Sequence, residues 1–302
     1  MGVKRPAILL LVNNRGWAFD VSAQQIRNNL SNDFDFSIEY IREKPNIDRN
    51  KYDLVFNFFW GDTYHRKFDI EPKRLIKNVS SHRWQYDPKF GPYSPKNFVG
   101  HYLSDAAAVS CTSLRLFNMI RGLRPHVYHA PNGYDPNTFF AKQKRNGALT
   151  VGWAGALQDG IKGYYDILEP ACKDTVVLKV AGGNLQHTEM NSFYNEIDVL
   201  AVSSKYEGEP LPLIESMAAG CFPVCTDVGI VPELVQSGVN GLIVNRSRDD
   251  FRTAFRWCAS NLDLVRRAGQ ANADQMLRER TWASCIPHFR RLFLGTLERT
   301  ER

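Results

Sequence analysis

The sequence lacks an apolar run long enough to cross a membrane, and its first residues do not resemble a secretory leader. The opening M-G-V-K-R-P leads directly into the apolar run Ala7–Val12, which has the length of a strand. A leader would need a charged start, a longer apolar segment and a cleavage site of small residues. The sequence therefore predicts a protein that is not secreted.

Cysteine is scarce and scattered, with six residues in a chain of 302. The spacings match no zinc motif and suggest no disulfide framework. Two of the six, Cys221 and Cys225, fall within a predicted buried strand, where a free thiol behaves as a small apolar side chain. We therefore expect reduced thiols and a cytoplasmic location. The complete set is Cys111, Cys172, Cys221, Cys225, Cys258 and Cys285.

Acidic residues are under-represented in the first half of the chain. Residues 1–148 contain 22 Lys and Arg against 13 Asp and Glu, a net charge of +9, although the whole chain carries only +6. An acidic or membrane-bound partner for this half would explain the excess, but dispersed solvated charge is the commoner cause. A peripheral contact with the inner face of the membrane therefore stays open. Nucleic acid is not expected, because no binding motif or aromatic platform accompanies the basic residues.

The most informative stretch is 206–226, Y-E-G-E-P-L-P-L-I-E-S-M-A-A-G-C-F-P-V-C-T. An apolar run of strand length, 197–203, precedes it, and 211–219 has the pattern of a short helix that stops at Gly220. Glu207 therefore follows the carboxyl end of a strand, and Glu215 lies about one turn into the helix. The stretch predicts two carboxylates beside a helix amino terminus.

This combination can hold a sugar nucleotide. The unpaired amides and the dipole at a helix amino terminus attract phosphate, and a carboxylate accepts paired hydrogen bonds from a diol. For an isolated pair of acids at this spacing, a solvated loop acid and a helix-capping acid would be the better interpretation. The longer context decides between the two interpretations.

The run E-G-x-P-L-x-x-x-E-x-M-A-x-G, with Pro223-Val224 and the segment V-G-I-V-P-E-L-V-Q-S-G-V-N-G-L-I-V at 228–244, resembles retaining glycosyltransferases of the GT-B fold, family 4. The resemblance implies a nucleoside-diphosphate sugar, a UDP- or GDP-sugar, as the donor. A divalent metal ion is not expected to be obligatory. It also implies that Glu207 orients the donor sugar and that Glu215 binds the ribose. The first turn of the helix, Leu211, Pro212 and Leu213, would then face the diphosphate.

The start of the chain resembles a mononucleotide-binding unit, with a strand, a turn containing Gly16 and a helix from about Asp20 to Leu30. In the family, a glycine loop here approaches the donor phosphates and the acceptor. This sequence lacks the usual double glycine, and a plain turn glycine is an alternative. Further along, His82 follows the predicted strand 75–80, where the resemblance implies a contact with the transferred sugar. A loop histidine bonded to the backbone is the other interpretation.

A second predicted phosphate loop, 155–163, follows the strand 149–154. In the family, this loop carries an arginine straight after its first glycine and a lysine six residues later, both on the diphosphate. Lys162 matches the lysine, but Ala156 occupies the arginine position. Arg15, beside Gly16, is the predicted replacement for the missing charge, and a solvated loop arginine is the alternative. The family's extra strand and loop near the nucleobase are also trimmed here, in 184–196.

These observations predict the GT-B fold, with two Rossmann-like α/β domains whose parallel sheets face a central cleft. The acceptor domain is expected at 1–146, with a final helix from about 287 to 302 packing back on it, and the donor domain at 147–286. A polar linker is expected at 141–147. The predicted function is a retaining hexosyltransferase of glycan, glycolipid or secondary-metabolite biosynthesis. A sugar-nucleotide epimerase and a non-catalytic sugar-nucleotide-binding protein are the alternatives, and the acceptor is undetermined.

Overall fold

The computed structural model describes residues 5–142 and 147–300 and shows two compact units. The first unit comprises Met1–Asn132 and Cys285–Arg302, and the second comprises Gly133–Ser284. Within the described residues, each unit contains one sheet in which every paired strand is parallel. Parallel sheets need helices on both faces, and the helices between the strands supply them.

The first sheet has the strand order β2-β1-β3-β4-β5-β6, and the second has the order β11-β10-β9-β7-β8. The strands are β1 Ala7–Val12, β2 Asp35–Tyr40, β3 Leu54–Asn57, β4 Leu75–Val79, β5 Ala108–Cys111, β6 Val127–His129, β7 Thr150–Ala154, β8 Val177–Ala181, β9 Val199–Val202, β10 Phe222–Thr226 and β11 Leu242–Val244.

Helices connect successive strands, with short 3-10 and π turns between some of them. The helices are α1 Ala18–Leu30, α2 Arg83–Tyr86, α3 Pro95–Phe98, α4 Leu114–Ile120, α5 Glu169–Cys172, α6 Met190–Asn195, α7 Leu211–Ala218, α8 Val231–Leu234, α9 Arg248–Ser260, α10 Leu262–Glu279 and α11 Trp282–Thr300. In the described part of the chain, no helix has both the length and the apolar character that a bilayer crossing requires.

The last helix, α11, completes the first unit. Its Phe293 makes edge-to-face ring contacts with Phe34, Phe36 and Phe56, which belong to or adjoin the first sheet. Aromatic pairs of this geometry add to the apolar area that they bury. At the helix surface, Arg290 forms a two-point ion pair with Asp33. The final helix of the chain is therefore held to the first unit by a buried aromatic cluster and a surface ion pair.

The boundary between the units differs from the sequence expectation. The segment 133–142 belongs to the second unit, because Tyr134 and Phe139 are buried in its core against α6 and α7. The backbone N–H of Tyr134 also donates to the carbonyl of Arg280 at the end of α10. The predicted linker at 141–147 lies partly outside the described residues, since 143–146 are not described.

The second sheet determines the position of the predicted site. β7 and β9 are neighbours near its centre, and the register pairs Val151 with Val199 and Gly152 with Leu200. Because parallel strands end at the same edge, the loops after β7 and β9 emerge side by side. Gly152 in β7 leaves room for the side chain of Ile197, which lies just before β9. A Cβ at position 152 would lie 2.3 Å from Ile197 Cδ1.

Gly229 holds the loop 207–210 in place. Its φ is +47°, and a Cβ at this position would lie 2.1 Å from the carbonyl oxygen of Gly208. That same oxygen accepts a hydrogen bond from the N–H of Ile230 at 2.9 Å. The close approach of two backbone segments explains why this position in the turn after β10 needs glycine.

We predict that Gly229→Ala lowers the free energy of unfolding by about 3 kcal/mol, because a left-handed backbone and a backbone clash are combined. Gly238→Ala is the matched control, since Gly238 also has a positive φ, +85°, but nothing lies within 4 Å of its Cβ position. The control should cost about 1 to 2 kcal/mol. Urea unfolding measures both; equal losses would mean that the close approach to Gly208 is unimportant.

Candidate functional site

The carboxyl edge of the second sheet gathers the predicted donor residues of this unit. The loop 155–163 follows β7, the loop 203–210 follows β9, and α7 begins directly after the second loop. Lys162 donates a hydrogen bond to Oε1 of Glu207 at 2.5 Å, although 45 positions separate them in the sequence. The pair is only partly exposed, at 29% for Lys162 and 15% for Glu207. The structure thus brings together the predicted phosphate-binding cation and the predicted sugar-binding carboxylate.

Two serines at the end of β9 orient this ion pair. Ser204 Oγ donates to the same Oε1 of Glu207 at 2.8 Å, and Ser203 Oγ donates to the backbone carbonyl of Lys162 at 2.7 Å. Both serines are buried. An ammonium group has three donors and a carboxylate about four acceptor sites, so Lys162 and Glu207 keep capacity for a ligand beyond their mutual bond.

A basic residue that the sequence reasoning missed, Arg246, anchors the loop of Lys162. Its guanidinium donates to the carbonyl of Ser203 at 3.0 Å and to that of Gly160 at 3.3 Å. The guanidinium also fills the space beside Gly163, where a Cβ would lie 2.8 Å from Nη2. Arg246 therefore joins the two loops that carry Lys162 and Glu207. Its sequence position after β11 gave no signal of this contact.

A second missed group fixes the other side of the site. Glu209 is buried and lies 3.3 Å from Arg280, which also faces Glu233 at 3.7 Å. A buried cation between two carboxylates holds its neighbours in one geometry, because removing any member would leave a charge without compensation. The ion group ties the loop 207–210 to the end of α10.

The amino end of α7 has no capping side chain, since Pro210 is at the N-cap position. Pro212 has no N–H, and the N–H of Leu213 donates to the carbonyl of Pro210 at 3.0 Å. Leu213 was predicted to offer its amide to phosphate, and the structure engages that amide within the turn. The hydrogen bond of Leu213 does not involve Leu211, so the predicted position of Leu211 facing the diphosphate stays a prediction. The helix dipole still favours an anion at this end.

Glu215 lies apart from the ion pair, within α7, and is 7% exposed. Tyr194 donates its hydroxyl to Oε2 at 2.9 Å, and Nε2 of His187 lies 3.2 Å from Oε1. Glu215 raises the pKa of His187, and burial with the nearby carboxylate raises the pKa of Tyr194 well above its usual value. The sequence identified Glu215 but neither partner, because both partners come from the segment before β9.

Three predicted site residues, His82, Gly16 and Arg15, belong to the first unit. His82 is buried directly before α2, with Nδ1 3.2 Å from Oε1 of Gln85. Gly16 has a φ of +75°, and its N–H donates to Asp20 at 2.7 Å, so it forms the predicted turn after β1. The roles assigned to His82 and Gly16 in sugar and phosphate binding stay predictions.

Arg15, the predicted phosphate replacement, is already engaged in the first unit. Its guanidinium pairs with both oxygens of Glu43 at 3.1 and 3.2 Å and lies 3.9 Å from the ring centre of Tyr40. The side chain is 64% exposed, so the ion pair is a weak constraint. Arg15 would have to leave or share Glu43 to serve as a phosphate ligand.

Residues 33–35 form an Asp-Phe-Asp triplet, an arrangement that can suit a hard cation. The structure places it at the amino end of β2, where Asp33 pairs with Arg290 and Asp35 pairs with Arg5. Among residues 5–142 and 147–300, no group of three or more His, Cys, Asp or Glu is arranged to hold a metal ion. That no ion is obligatory stays a prediction.

Comparison with solved structures identifies the fold. HepE of Anabaena, solved in complex with UDP-glucose, matches with a TM-score of 0.69 at 12% identity, over 96% of this chain and 99% of HepE. At this identity the likeness establishes the architecture alone. Together with the two parallel sheets it shows the GT-B fold, as the sequence predicted.

Sequence comparison points to sugar transfer. Residues 178–275 match the family described as glycosyl transferases group 1. The lipopolysaccharide core biosynthesis mannosyltransferase LpsB of Rhizobium meliloti is 33% identical over 95 residues, 31% of this chain and 26% of LpsB. An uncharacterized glycosyltransferase of Methanocaldococcus jannaschii is 26% identical over 222 residues, 65% of this chain and 62% of that protein. The chain thus spans less than two thirds of the length of these curated relatives.

The His187–Glu215 pair predicts a pH-dependent stability. Because the folded state raises the pKa of His187 above its usual 6.5, the pair stabilises fully below pH 6.5 and loses this contribution as the pH rises through the folded pKa. His187→Gln keeps a neutral donor and removes the charge. The variant should therefore lose up to about 1 kcal/mol at pH 5.5, since the histidine is partly exposed, and almost nothing at pH 8.5. Urea unfolding at both pH values measures the difference; an equal loss at both would contradict the pairing.

Proposed function

We propose that this protein is a retaining glycosyltransferase of family 4 that moves a hexose from a nucleoside-diphosphate sugar to an acceptor hydroxyl. The observation that carries the proposal is the arrangement at the carboxyl edge of the second sheet. Lys162, Glu207 and the uncapped amino end of α7 meet there, and Glu215 lies within the same helix. The match of residues 178–275 to group 1 glycosyl transferases, which includes both acids, supports the same function.

The charges of this site suit the departure of a diphosphate. As the bond from the anomeric carbon to the leaving oxygen breaks, negative charge grows on the diphosphate. An ammonium group and a helix dipole that are already in place stabilise that charge without reorganisation. In the proposed mechanism the acceptor hydroxyl attacks from the face that the diphosphate leaves, and the leaving phosphate accepts the proton. Positioning and electrostatics then lower the barrier without a protein nucleophile.

Each predicted residue has a distinct part in this proposal. Glu207 binds hydroxyls of the donor sugar and holds Lys162, which binds the diphosphate with the amino end of α7. Glu215 accepts hydrogen bonds from the ribose. His82 contacts the transferred sugar, and Gly16 allows the loop after β1 to approach the donor. A UDP- or GDP-sugar is the donor, and UDP is the first nucleotide to test because HepE was solved with UDP-glucose.

The missing arginine at Ala156 leaves Lys162 as the cation of its loop in the proposed phosphate site. We propose that two arginines compensate in different ways. Arg246 holds the loop through the carbonyls of Gly160 and Ser203, which keeps Lys162 in place. Arg15 is paired with Glu43 and acts on phosphate only if that exposed pair opens. We assign the reaction to glycan, glycolipid or secondary-metabolite biosynthesis in the cytoplasm. A membrane contact through the basic first half stays a prediction.

We predict that Lys162→Met weakens UDP binding by about 1.5 to 3 kcal/mol, the scale of a charged hydrogen bond, and weakens UMP binding less. Lys179→Met is the matched control, because Lys179 also pairs with a glutamate of the second unit, Glu196, but lies within the sheet's outer strand β8. Calorimetry with UDP and GDP measures the affinities. Equal losses of UDP affinity in Lys162→Met and Lys179→Met would contradict a role of Lys162 in the phosphate site. A loss of UDP affinity in Arg15→Ala would support Arg15 as the replacement for the arginine missing at Ala156.

We predict that Glu207→Gln and His82→Ala lose at least about 100-fold in turnover. UDP affinity should be unchanged in His82→Ala, and unchanged or higher in Glu207→Gln, because Lys162 is freed from its carboxylate. His126→Gln, at an exposed position of the first unit, is the control. Near-normal turnover in either variant would make that residue structural.

The reaction class is tested with labelled donor and a panel of sugar and lipid acceptors. Transfer gives a new glycoside and free nucleoside diphosphate. An epimerase would convert the donor alone into an isomeric sugar nucleotide, and a binding protein would bind the donor without either product. Either of these last outcomes would overturn the proposed function.

A further inference from the structure

Glu215 has a pattern of hydrogen bonds that leaves one acceptor site on each of its oxygens. A carboxylate has about four acceptor sites, two on each oxygen. Tyr194 occupies one site on Oε2, and His187 occupies one on Oε1. The two remaining sites lie on different oxygens of one planar group. This arrangement matches two adjacent hydroxyls, each donating to one oxygen.

The two partners of Glu215 are themselves held in place. Tyr194 is fully buried in α6, and the ring of Phe139 packs against both Tyr194 and His187, with centroids 6.0 and 5.1 Å away. His187 begins a short 3-10 turn that is closed at its start by a capping box between Gln186 and Glu189. The carboxylate therefore has little freedom to rotate away from its two partners.

The surroundings of His187 favour its bond to Glu215. The carboxylates of Glu215 and Asp135 face the imidazole, Glu189 lies on its own turn, and Tyr194 is the other titratable group of the cluster. The side chain of His187 is 42% exposed, whereas that of Glu215 is 9% exposed. His187 can thus be changed with less damage to the core than Tyr194, which makes it the better probe.

We propose that His187, together with Tyr194, is a positioning residue that orients Glu215 toward a vicinal diol and so makes the site select ribonucleotides over 2′-deoxyribonucleotides. The inference rests on the proposed function, because it takes a nucleotide as the ligand of Glu215. With His187 in place, each ribose hydroxyl has an oriented acceptor. Without it, the carboxylate is free to turn, and the 2′-hydroxyl loses its fixed partner.

The test compares the dissociation constants of UDP and 2′-deoxy-UDP, and of the guanine pair if GDP binds more tightly. The full chain is measured by calorimetry as wild type, His187→Ala, His187→Gln and Glu215→Gln, with His126→Gln as the control. The wild type and the control should prefer the ribonucleotide about tenfold or more. His187→Ala should bind UDP about tenfold more weakly, with 2′-deoxy-UDP affinity unchanged, so that the preference is lost. His187→Gln should restore most of the preference, because its amide can donate to Oε1.

The outcomes separate this inference from the proposed function. If His187→Ala weakens both nucleotides equally, or if the wild type has no preference, the positioning role is overturned while nucleotide binding stands. If neither UDP nor GDP binds the wild type, the proposed donor site fails and this inference fails with it. Loss of the preference in Glu215→Gln but not in His187→Ala would leave Glu215 as the ribose ligand and overturn the role of His187.

Discussion

The site depends on one topological constraint, the pairing of β7 with β9 in the second parallel sheet. Strands that run in the same direction deliver their following loops to the same edge, so residues far apart in sequence meet there. The ion pair between Lys162 and Glu207 follows from this pairing. Directly after β9, Ser203 donates to the carbonyl of Lys162 and Ser204 donates to the carboxylate of Glu207, so the two serines hold both members of the pair. The order of the strands therefore determines which side chains meet at this edge of the sheet.

Two carboxylates of the site lie in contrasting environments. Glu207 is partly exposed and forms an ion pair with Lys162. Glu215 is nearly buried and faces the hydroxyl of Tyr194 and the imidazole of His187. Hydrogen bonds to a buried carboxylate compensate for the water that it loses on folding. The first carboxylate is thus held by one ion pair and the bond from Ser204, and the second by two hydrogen bonds in a buried setting.

The sequence predicted the strands well because parallel strands buried on both faces are continuous apolar runs. β1 has the predicted bounds, and Gly220 ends α7 with a φ of +79°. Motif spacing also singled out Glu207 and Glu215, the two acids of the candidate site. What the sequence could not show were partners that no local pattern connects to the motif. Arg246, Arg280, His187 and Tyr194 reach the site only through the packing of distant elements.

The short segment between β8 and β9 shows how such hidden contacts shape the site. Only a capped turn and the helix α6 connect these strands, yet they supply both partners of Glu215. The same helix, α6, also holds the segment 133–142, because Asn191 accepts a hydrogen bond from the N–H of Phe140. Phe139 is thereby pressed against His187 and Tyr194. This short segment can thus fix the geometry of the Glu215 carboxylate. Its polar groups, His187 and Tyr194, bond to Glu215 in α7, and its turn is closed by the side chains of Gln186 and Glu189.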